Sequence, residues 1–264
     1  MGERTRPWPT GTPTWVDLAS DDPDAATTSY ADLFGWKCVR QGAREYWVCS
    51  LDGEDVGGIG AKRAGNESNR WTTYLATEQL ERTLALVVEN GGRVVTGPSD
   101  IEHHGRMAIA ADPGGASFGL WQAAEHIGTE CRTAPGSLVW SEALSRDFDA
   151  AKTFYRAVFG YEAEEISGDG PRYAALFAGG RPVAGIAELH PDLPAGGLSP
   201  QWLPYFTTAG IDTAVAQVLA NAGGLVCSPF DTDFGRVAVL TDPQAAPFAV
   251  IQLADPVPPL TPST

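Results

Sequence analysis

The feature that most constrains this chain is that it repeats itself. Residues 22–36 (DPDAATTSYADLFGW) return as residues 147–161 (DFDAAKTFYRAVFGY) at an offset of 125. Trp71 and Tyr74 return as Trp202 and Tyr205, and Gly105-Arg106 as Gly235-Arg236. Asp112-Pro113, Phe118 and Gln122 return as Asp242-Pro243, Phe248 and Gln252. The offset moves only between 125 and 131, which short loop insertions explain. A tandem duplication of this period means two copies of one structural unit, so a single plan must account for both halves. With 264 residues there is room for two ordinary domains.

Matching stops in residues 124–136, a stretch holding Gly128, Pro135 and Gly136 without apolar periodicity, and this is read as the linker. The domains are then 13–123 and 137–254. The flanking tails, 1–12 and 255–264, are rich in Pro and Thr and are expected to lie at the surface without regular structure.

Each half reads as two modules. An alternating strand (14–19; 138–144) leads to Asp22 or Asp147 and a helix that Gly35 or Gly160 closes. Strands follow at 46–51 and 56–62, and at 172–178 and 182–189. The second module of the first half runs from strand 71–76 to helix 78–90, then to strands 93–95, 106–111 and 117–122, with Asp112-Pro113-Gly114-Gly115 as a turn. The pattern is βαβββ four times over, an α+β chain.

This module order, with Tyr30, Phe34-Gly35-Trp36 and Phe154-Tyr155, Phe159-Gly160-Tyr161 in the first helices and an Asp-Pro turn before each last strand, resembles the vicinal oxygen chelate superfamily of glyoxalases, bleomycin-resistance proteins and extradiol dioxygenases. It is most similar to tandem glyoxalase-like proteins of actinobacteria, whose halves open as Pro13-Thr14-Trp15-Val16-Asp17-Leu18 does and, more loosely, Leu138-Val139-Trp140-Ser141-Glu142-Ala143. The resemblance implies four βαβββ modules forming two incomplete β-barrels around cavities, with the helices outside. In metal-dependent members the cavity holds a divalent ion on His, Glu or Gln side chains. Carried across position by position, those sites fall on Trp15, Thr72 and Gly119 in the first half and on Trp140, Leu203 and Ala249 in the second. The hairpin stretches 56–60 and 183–187 offer no His or carboxylate. These side chains are not ligands for a divalent cation, so no metal and no other cofactor is expected, and glyoxalase or dioxygenase chemistry is not.

Strand alternation then places Asp17 and Glu142 on the face of Trp15 and Trp140, with Tyr74, Tyr205 and Trp121 also turned inward. A carboxylate in an apolar enclosure must be hydrogen-bonded, paired or protonated. Asp17 and Glu142 are therefore either structural, bonded to a neighbouring Tyr or Arg, or functional, receiving a cationic group or serving as a base with Tyr74 or Tyr205 as hydrogen-bond donor. Trp15, Trp140 and Trp121 are candidate ligand walls, and core plugging is the alternative. His103, His104 and Arg106 are candidates at a cavity mouth, with a solvated loop as the alternative for the histidines; on a strand, adjacent histidines point to opposite faces and do not easily share a metal.

A net charge of −15 excludes a nucleic-acid surface. No run of residues is long and apolar enough for a bilayer, and residues 1–9 lack the apolar core of a signal peptide. Cys38, Cys49, Cys131 and Cys227 show no C-x-x-C spacing and are read as free thiols of a cytoplasmic protein, monomeric or homodimeric. No dinucleotide fingerprint, P-loop or nucleophile elbow is present. The expected function is metal-independent binding of an aromatic or cationic small molecule of natural-product or antibiotic type. The alternative is a metal-independent lyase, isomerase or cyclase of natural-product metabolism. A partner-binding scaffold with self-filled cavities stays open beside both.

Overall fold

The computed structural model describes residues 6–42, 45–62, 68–129, 133–166, 170–189 and 198–260. The first half contains β1 (Pro13–Ser20), α1 (Pro23–Phe34), β2 (Lys37–Arg40), β3 (Tyr46–Leu51) and β4 (Glu54–Ala61). It continues with β5 (Arg70–Ala76), α2 (Leu80–Glu89), β6 (Arg93–Ile101), β7 (Gly105–Ala111) and β8 (Ser117–Ala123). The second half repeats this order with β9 (Leu138–Ser145), α3 (Phe148–Phe159), β10 (Glu162–Ile166), β11 (Tyr173–Ala178) and β12 (Arg181–Glu188). It ends with β13 (Gln201–Thr207), α4 (Ile211–Ala220), β14 (Gly224–Thr232), β15 (Gly235–Thr241) and β16 (Pro247–Leu253). Each half is one open eight-stranded sheet, ordered β2-β3-β4-β1-β5-β8-β7-β6 and β10-β11-β12-β9-β13-β16-β15-β14. Four βαβββ modules in two incomplete barrels are thus the observed architecture.

The repeated residues explain the local structure. Asp22 and Asp147 cap α1 and α3 by accepting from the Ala25 and Ala150 amides, each at 3.0 Å. Gly35 and Gly160 end those helices in the left-handed conformation, at φ 75° and 71°. The Gln122 and Gln252 side chains accept from the first amides of α2 and α4, Leu80 N at 2.9 Å and Ile211 N at 3.1 Å. Two expectations need correction. Strand 93–95 is the start of a nine-residue strand, and β2, too short to show a period, completes the expected βαβββ module. His103 and His104 lie in the turn between β6 and β7, in keeping with the loop reading. Cys38 and Cys49, opposite one another on β2 and β3, form a disulfide, so neither is a free thiol or a nucleophile. Their pairing removes the thiol half of the cytoplasmic argument, since disulfides persist in oxidising surroundings. Cys227 is free, and Cys131 lies outside the described residues. No helix among the described residues is long and apolar enough to cross a membrane.

The two cores are shared between the halves. One joins Leu80, Leu84 and Val87 of α2 and Phe118 of β8 to Phe154, Tyr155 and Val158 of α3 and Trp202 of β13. The other joins Tyr30 and Phe34 of α1 and Trp71 of β5 to Phe206, Ile211, Val218 and Phe248 of the second half. Buried polar bonds cross at the same places. The Tyr30 hydroxyl donates to Asp242 Oδ2 (3.2 Å) and accepts from Trp71 Nε1 (3.0 Å). Reciprocally, Tyr155 donates to Asp112 Oδ2 (3.1 Å) and accepts from Trp202 Nε1 (2.8 Å). The other carboxylate oxygen of each Asp holds its own turn, through Ala116 N and Ala246 N. Burial pushes both Asp112 and Asp242 upward in pKa, against the hydrogen bonds that favour their charged forms. A second exchange runs from Trp36 Nε1 to Gly136 O (2.8 Å) and from the Tyr161 hydroxyl to Gly11 O. Gly11 and Gly136 sit at φ 87° and 90°, and a side chain on either meets Tyr161 or the Phe34 backbone.

Removing either tyrosine hydroxyl strands a buried Asp oxygen and a buried indole N–H. Tyr30→Phe and Tyr155→Phe are each expected to lose about 1–3 kcal/mol of stability, read from urea unfolding midpoints. Shifts within the scatter of surface substitutions would show that these bonds do not hold the halves together.

Candidate functional site

Inside each barrel a carboxylate meets two tyrosines. On β9, Trp140 and Glu142 share the inner face, and Leu203 and Tyr205 on β13 stand opposite Glu142 and Trp140. The Tyr205 hydroxyl donates to Glu142 Oε1 at 2.6 Å. Tyr173, on β11, donates a second hydrogen bond to the same carboxylate and accepts from Trp140 Nε1 at 2.9 Å. Leu144, Leu189, Leu203, Val239 and Ala249 form the apolar wall around this group. Glu142 is only 6% exposed. Burial raises its pKa from 4.5 to about 7; the two phenols act in the opposite direction and recover only part of the shift. Tyr173 and Tyr205 are both pushed well above the usual phenol value, by burial first and by the Glu142 charge second. They remain neutral donors.

The first barrel repeats the plan with Asp17. Tyr74, on β5, donates to Asp17 Oδ2 at 3.0 Å, and Trp15 Nε1 donates to the Tyr46 hydroxyl at 3.0 Å. Tyr46 is pushed upward by burial and then by the Asp17 charge. Met107 and Trp121 complete this apolar cluster. Residues 124–129 lie across it. Trp121 Nε1 donates to His126 O (2.8 Å), and Thr14 Oγ1 donates to Ile127 O (2.8 Å). The His126 ring sits edge-on to Trp15 with centroids 4.7 Å apart. Among the described residues no aromatic ring packs on Trp140, which is half-buried.

The sequence thus brings together Trp15, Asp17, Tyr74 and Trp121 in one barrel and Trp140, Glu142 and Tyr205 in the other. It does not bring in Arg106, whose guanidinium lies on the outer side against Glu81 Oε1 of α2 (2.6 Å) and Asp100 Oδ1 (3.0 Å). Its counterpart Arg236 likewise meets Asp212, so neither forms an ion pair across a barrel. His103 and His104 are at the hairpin tip. Trp71 and Trp202 belong to the helix-side cores.

Tyr46 and Tyr173 were missed. The signal was a pair of glycines, Gly58 and Gly185, each 12 residues after its tyrosine. A Cβ at Gly58 meets the Tyr46 hydroxyl at 1.9 Å, and one at Gly185 meets that of Tyr173 at 2.1 Å. The missing side chains on β4 and β12 are what let each phenol lie across the sheet toward the carboxylate. At Gly119, one of the positions at which the resemblance puts a metal ligand, a Cβ meets the Tyr74 ring at 2.1 Å. Tyr74 takes that space. The donor set Trp15, Thr72 and Gly119, or Trp140, Leu203 and Ala249, does not fit a divalent cation.

A cleft of about 520 Å³ opens beside the second barrel, lined by Leu198, Gln201 and Val226 with Arg70, Trp71 and Ser117 of the first half. Leu198 and Val226 also belong to the apolar wall around Glu142. Gln201, which lines the cleft, is two residues before Leu203 on the same face of β13, about 7 Å, one pleat repeat, along the strand from the position facing Glu142.

The model of the Glyoxalase/Bleomycin resistance protein/Dioxygenase superfamily matches residues 12–120 and 137–248. A protein of Mycobacterium tuberculosis named "Putative glyoxylase CFP32" is 38% identical over 254 residues, 92% of this chain and 95% of the relative. The anthracycline biosynthesis protein DauV of a Streptomyces species is 32% identical over 265 residues, 94% of this chain and 95% of its own length. Among solved structures, the Mn(II)-bound glyoxalase from Novosphingobium aromaticivorans superposes with a TM-score of 0.63 at 15% identity, over 92% of this chain and 85% of that one. At that identity the likeness is one of fold.

Between about pH 4.5 and about pH 7 the folded chain keeps a proton on Glu142 that the unfolded chain has released. Its contribution to stability is therefore present at low pH and is lost as pH rises through that window. Glu142→Gln is expected to unfold with the wild type near pH 5 and to be more stable by about 1–3 kcal/mol near pH 8, measured by urea unfolding. A wild type that gains on the variant over the same interval would contradict the assignment.

Proposed function

The chain belongs to the Glyoxalase/Bleomycin resistance protein/Dioxygenase superfamily, and on that premise we propose that it binds a planar, natural-product-type small molecule without the metal centre of the metal-dependent members, using the second barrel. The observation that carries this reading is Glu142: a buried carboxylate among apolar walls, held by two neutral phenols and by no cation among the described residues. Such a group has an ordered polar tip and unspent capacity for a cationic or hydrogen-bonding partner. Trp140 supplies an indole face on which no ring stacks among the described residues, and a cleft of ligand size shares Leu198 and Val226 with the apolar wall. The first barrel offers less, since residues 124–129 and the His126 ring occupy the space over Trp15 and Trp121. The name of the relative DauV, an anthracycline biosynthesis protein, supports polycyclic aromatic polyketides as the ligand class to test first.

The pKa of about 7 at Glu142 favours one further reading, a metal-free lyase, isomerase or cyclase. In that case the ionised carboxylate takes a proton from a carbon next to a carbonyl, and Tyr205 O–H donates to the oxygen on which charge develops. The proton then returns at a second carbon, or, where the enolate expels a group from the β carbon and a Cα–Cβ double bond forms, Glu142 passes it to the departing group. Asp17 and Tyr74 are the corresponding pair of the first half.

The two readings share a binding test. Polycyclic aromatic polyketides with and without an amine are each added near 100 times their dissociation constant, which for a one-site ligand stabilises by about 2.7 kcal/mol. The expected result is a saturable rise in melting temperature that Trp140→Ala and Glu142→Gln abolish and Asp17→Asn leaves in place. For amine-bearing ligands, affinity is expected to increase as pH passes about 7 and Glu142 ionises. A shift that survives Glu142→Gln but is lost in Asp17→Asn would move the site to the first barrel, and no shift across the panel would remove the reading. Consumption of a bound ligand by the wild type, absent in Glu142→Gln, would select the catalytic reading.

A further inference from the structure

Three of the four histidines of the chain gather at one place outside the barrel site. Glu102, His103 and His104 form the turn that joins β6 to β7, closed by a hydrogen bond from His104 N to Ile101 O (2.9 Å). Glu102 is left-handed, at φ 47°, which breaks the alternation of the strand. Consecutive side chains that a strand sends to opposite faces are therefore turned to the same side. One potential ligand atom from each of Glu102, His103 and His104 lies within 4.8 Å of the other two, and the two imidazole centroids are 4.2 Å apart. The chain after β8 runs alongside. Ala124 N and His126 N donate to His104 O (2.9 and 3.1 Å), and Glu125 N donates to His103 O (3.3 Å). The Glu125 carboxylate is 3.7 Å from His103 Nε2.

The equivalent turn of the fold is made without histidine. In the second half, between β14 and β15, it is closed by Asp233 and Phe234, with Thr232 Oγ1 accepting from Phe234 N (3.2 Å). A neutral imidazole pair and one carboxylate form a nitrogen-rich set suited to a borderline cation such as Zn²⁺, whereas Ca²⁺ and Mg²⁺ select oxygen cages. Ligand atoms on a tetrahedral ion bonded at about 2.0–2.1 Å stand roughly 3.3 Å apart. Glu102 and His103 are exposed and can close the remaining distance by rotamer changes.

We infer that the β6–β7 turn is a divalent transition-metal site, with Glu102, His103 and His104 as ligands and Glu125 next in reach. It lies outside the barrel interior and does not depend on the barrel reading. Because residues 124–126 are hydrogen-bonded to the same turn and His126 packs on Trp15, bound metal also clamps this segment to the first barrel.

The test uses the full chain without an affinity tag, freed of metal by chelation and titrated with zinc against a chromophoric chelator. One equivalent is expected in the wild type and in the Asp17→Asn, Glu142→Gln double variant. The equivalent is expected to disappear in His103→Ala, His104→Ala and to weaken about tenfold or more in Glu102→Gln. Zinc is also expected to slow hydrogen exchange at the Ala124 and His126 amides in the wild type and not in the histidine double variant. The melting temperature of the histidine double variant in chelator, unchanged from wild type, shows that the fold is intact. No saturable site in the wild type, or an equivalent that persists in the histidine double variant, would overturn the assignment.

Discussion

The buried bonds from Tyr30 to Asp242 and from Tyr155 to Asp112 set the position of everything else in this molecule. Each ties a helix of one half to the Asp-Pro turn of the other, and each tyrosine also orients a tryptophan beneath its own sheet. A hydrogen bond in such a place contributes modestly when made and costs several times more when half of it is missing. Sequence changes at any of the six residues are therefore constrained together. The exchange between Trp36 and Gly136 and between Tyr161 and Gly11 adds a second pair of ties near the start of each half. With the convex faces of both sheets committed to shared cores, the concave faces are left for chemistry.

On those concave faces the two halves have diverged. Both keep a Trp, a carboxylate and two Tyr, and both use a glycine on the neighbouring strand to admit a phenol to the centre. The first half carries the shorter Asp17 and is covered by residues 124–129, whereas the second carries the buried Glu142, and its apolar wall shares Leu198 and Val226 with a cleft. A carboxylate without a cation is costly to bury, and Glu142 meets that cost by holding its proton up to about pH 7. The same group is then available to a ligand or to a proton transfer. At Gly119, one of the positions at which the resemblance puts a metal ligand, Tyr74 takes the space.

Much of this was legible in the sequence because the duplication supplied each reading twice. Asp22 and Asp147, Gly35 and Gly160, and the module order identified the helices and their ends, and the period of two placed Asp17 and Glu142 beside Trp15 and Trp140. What was not legible depended on side chains meeting across strands that are distant in sequence. Tyr46 and Tyr173 reach the carboxylates from β3 and β11, and their signal is an absent side chain at Gly58 and Gly185. The Cys38–Cys49 disulfide needed the register of β2 with β3, and β2 is too short to announce itself by periodicity. That His103 and His104 turn to the same side was not legible, because the left-handed Glu102 that breaks strand alternation has no sequence signal of its own. Arg106 recurs as Arg236 for outer-face ion pairs, a role that repetition alone cannot distinguish from one in the cavity.

The central claim is that Glu142 is a neutral, proton-bearing carboxyl at the heart of the second barrel under mildly acidic conditions. Infrared difference spectroscopy of the wild type against Glu142→Gln tests it most directly. A protonated-carboxyl carbonyl band belonging to Glu142 should be present near pH 5.5, fall by half near pH 7 and be absent near pH 8.5. No such band at pH 5.5, with the carboxylate signal of Glu142 already complete, would mean that the residue is solvated or paired in a way this structure does not contain, and the account of the site would fail with it.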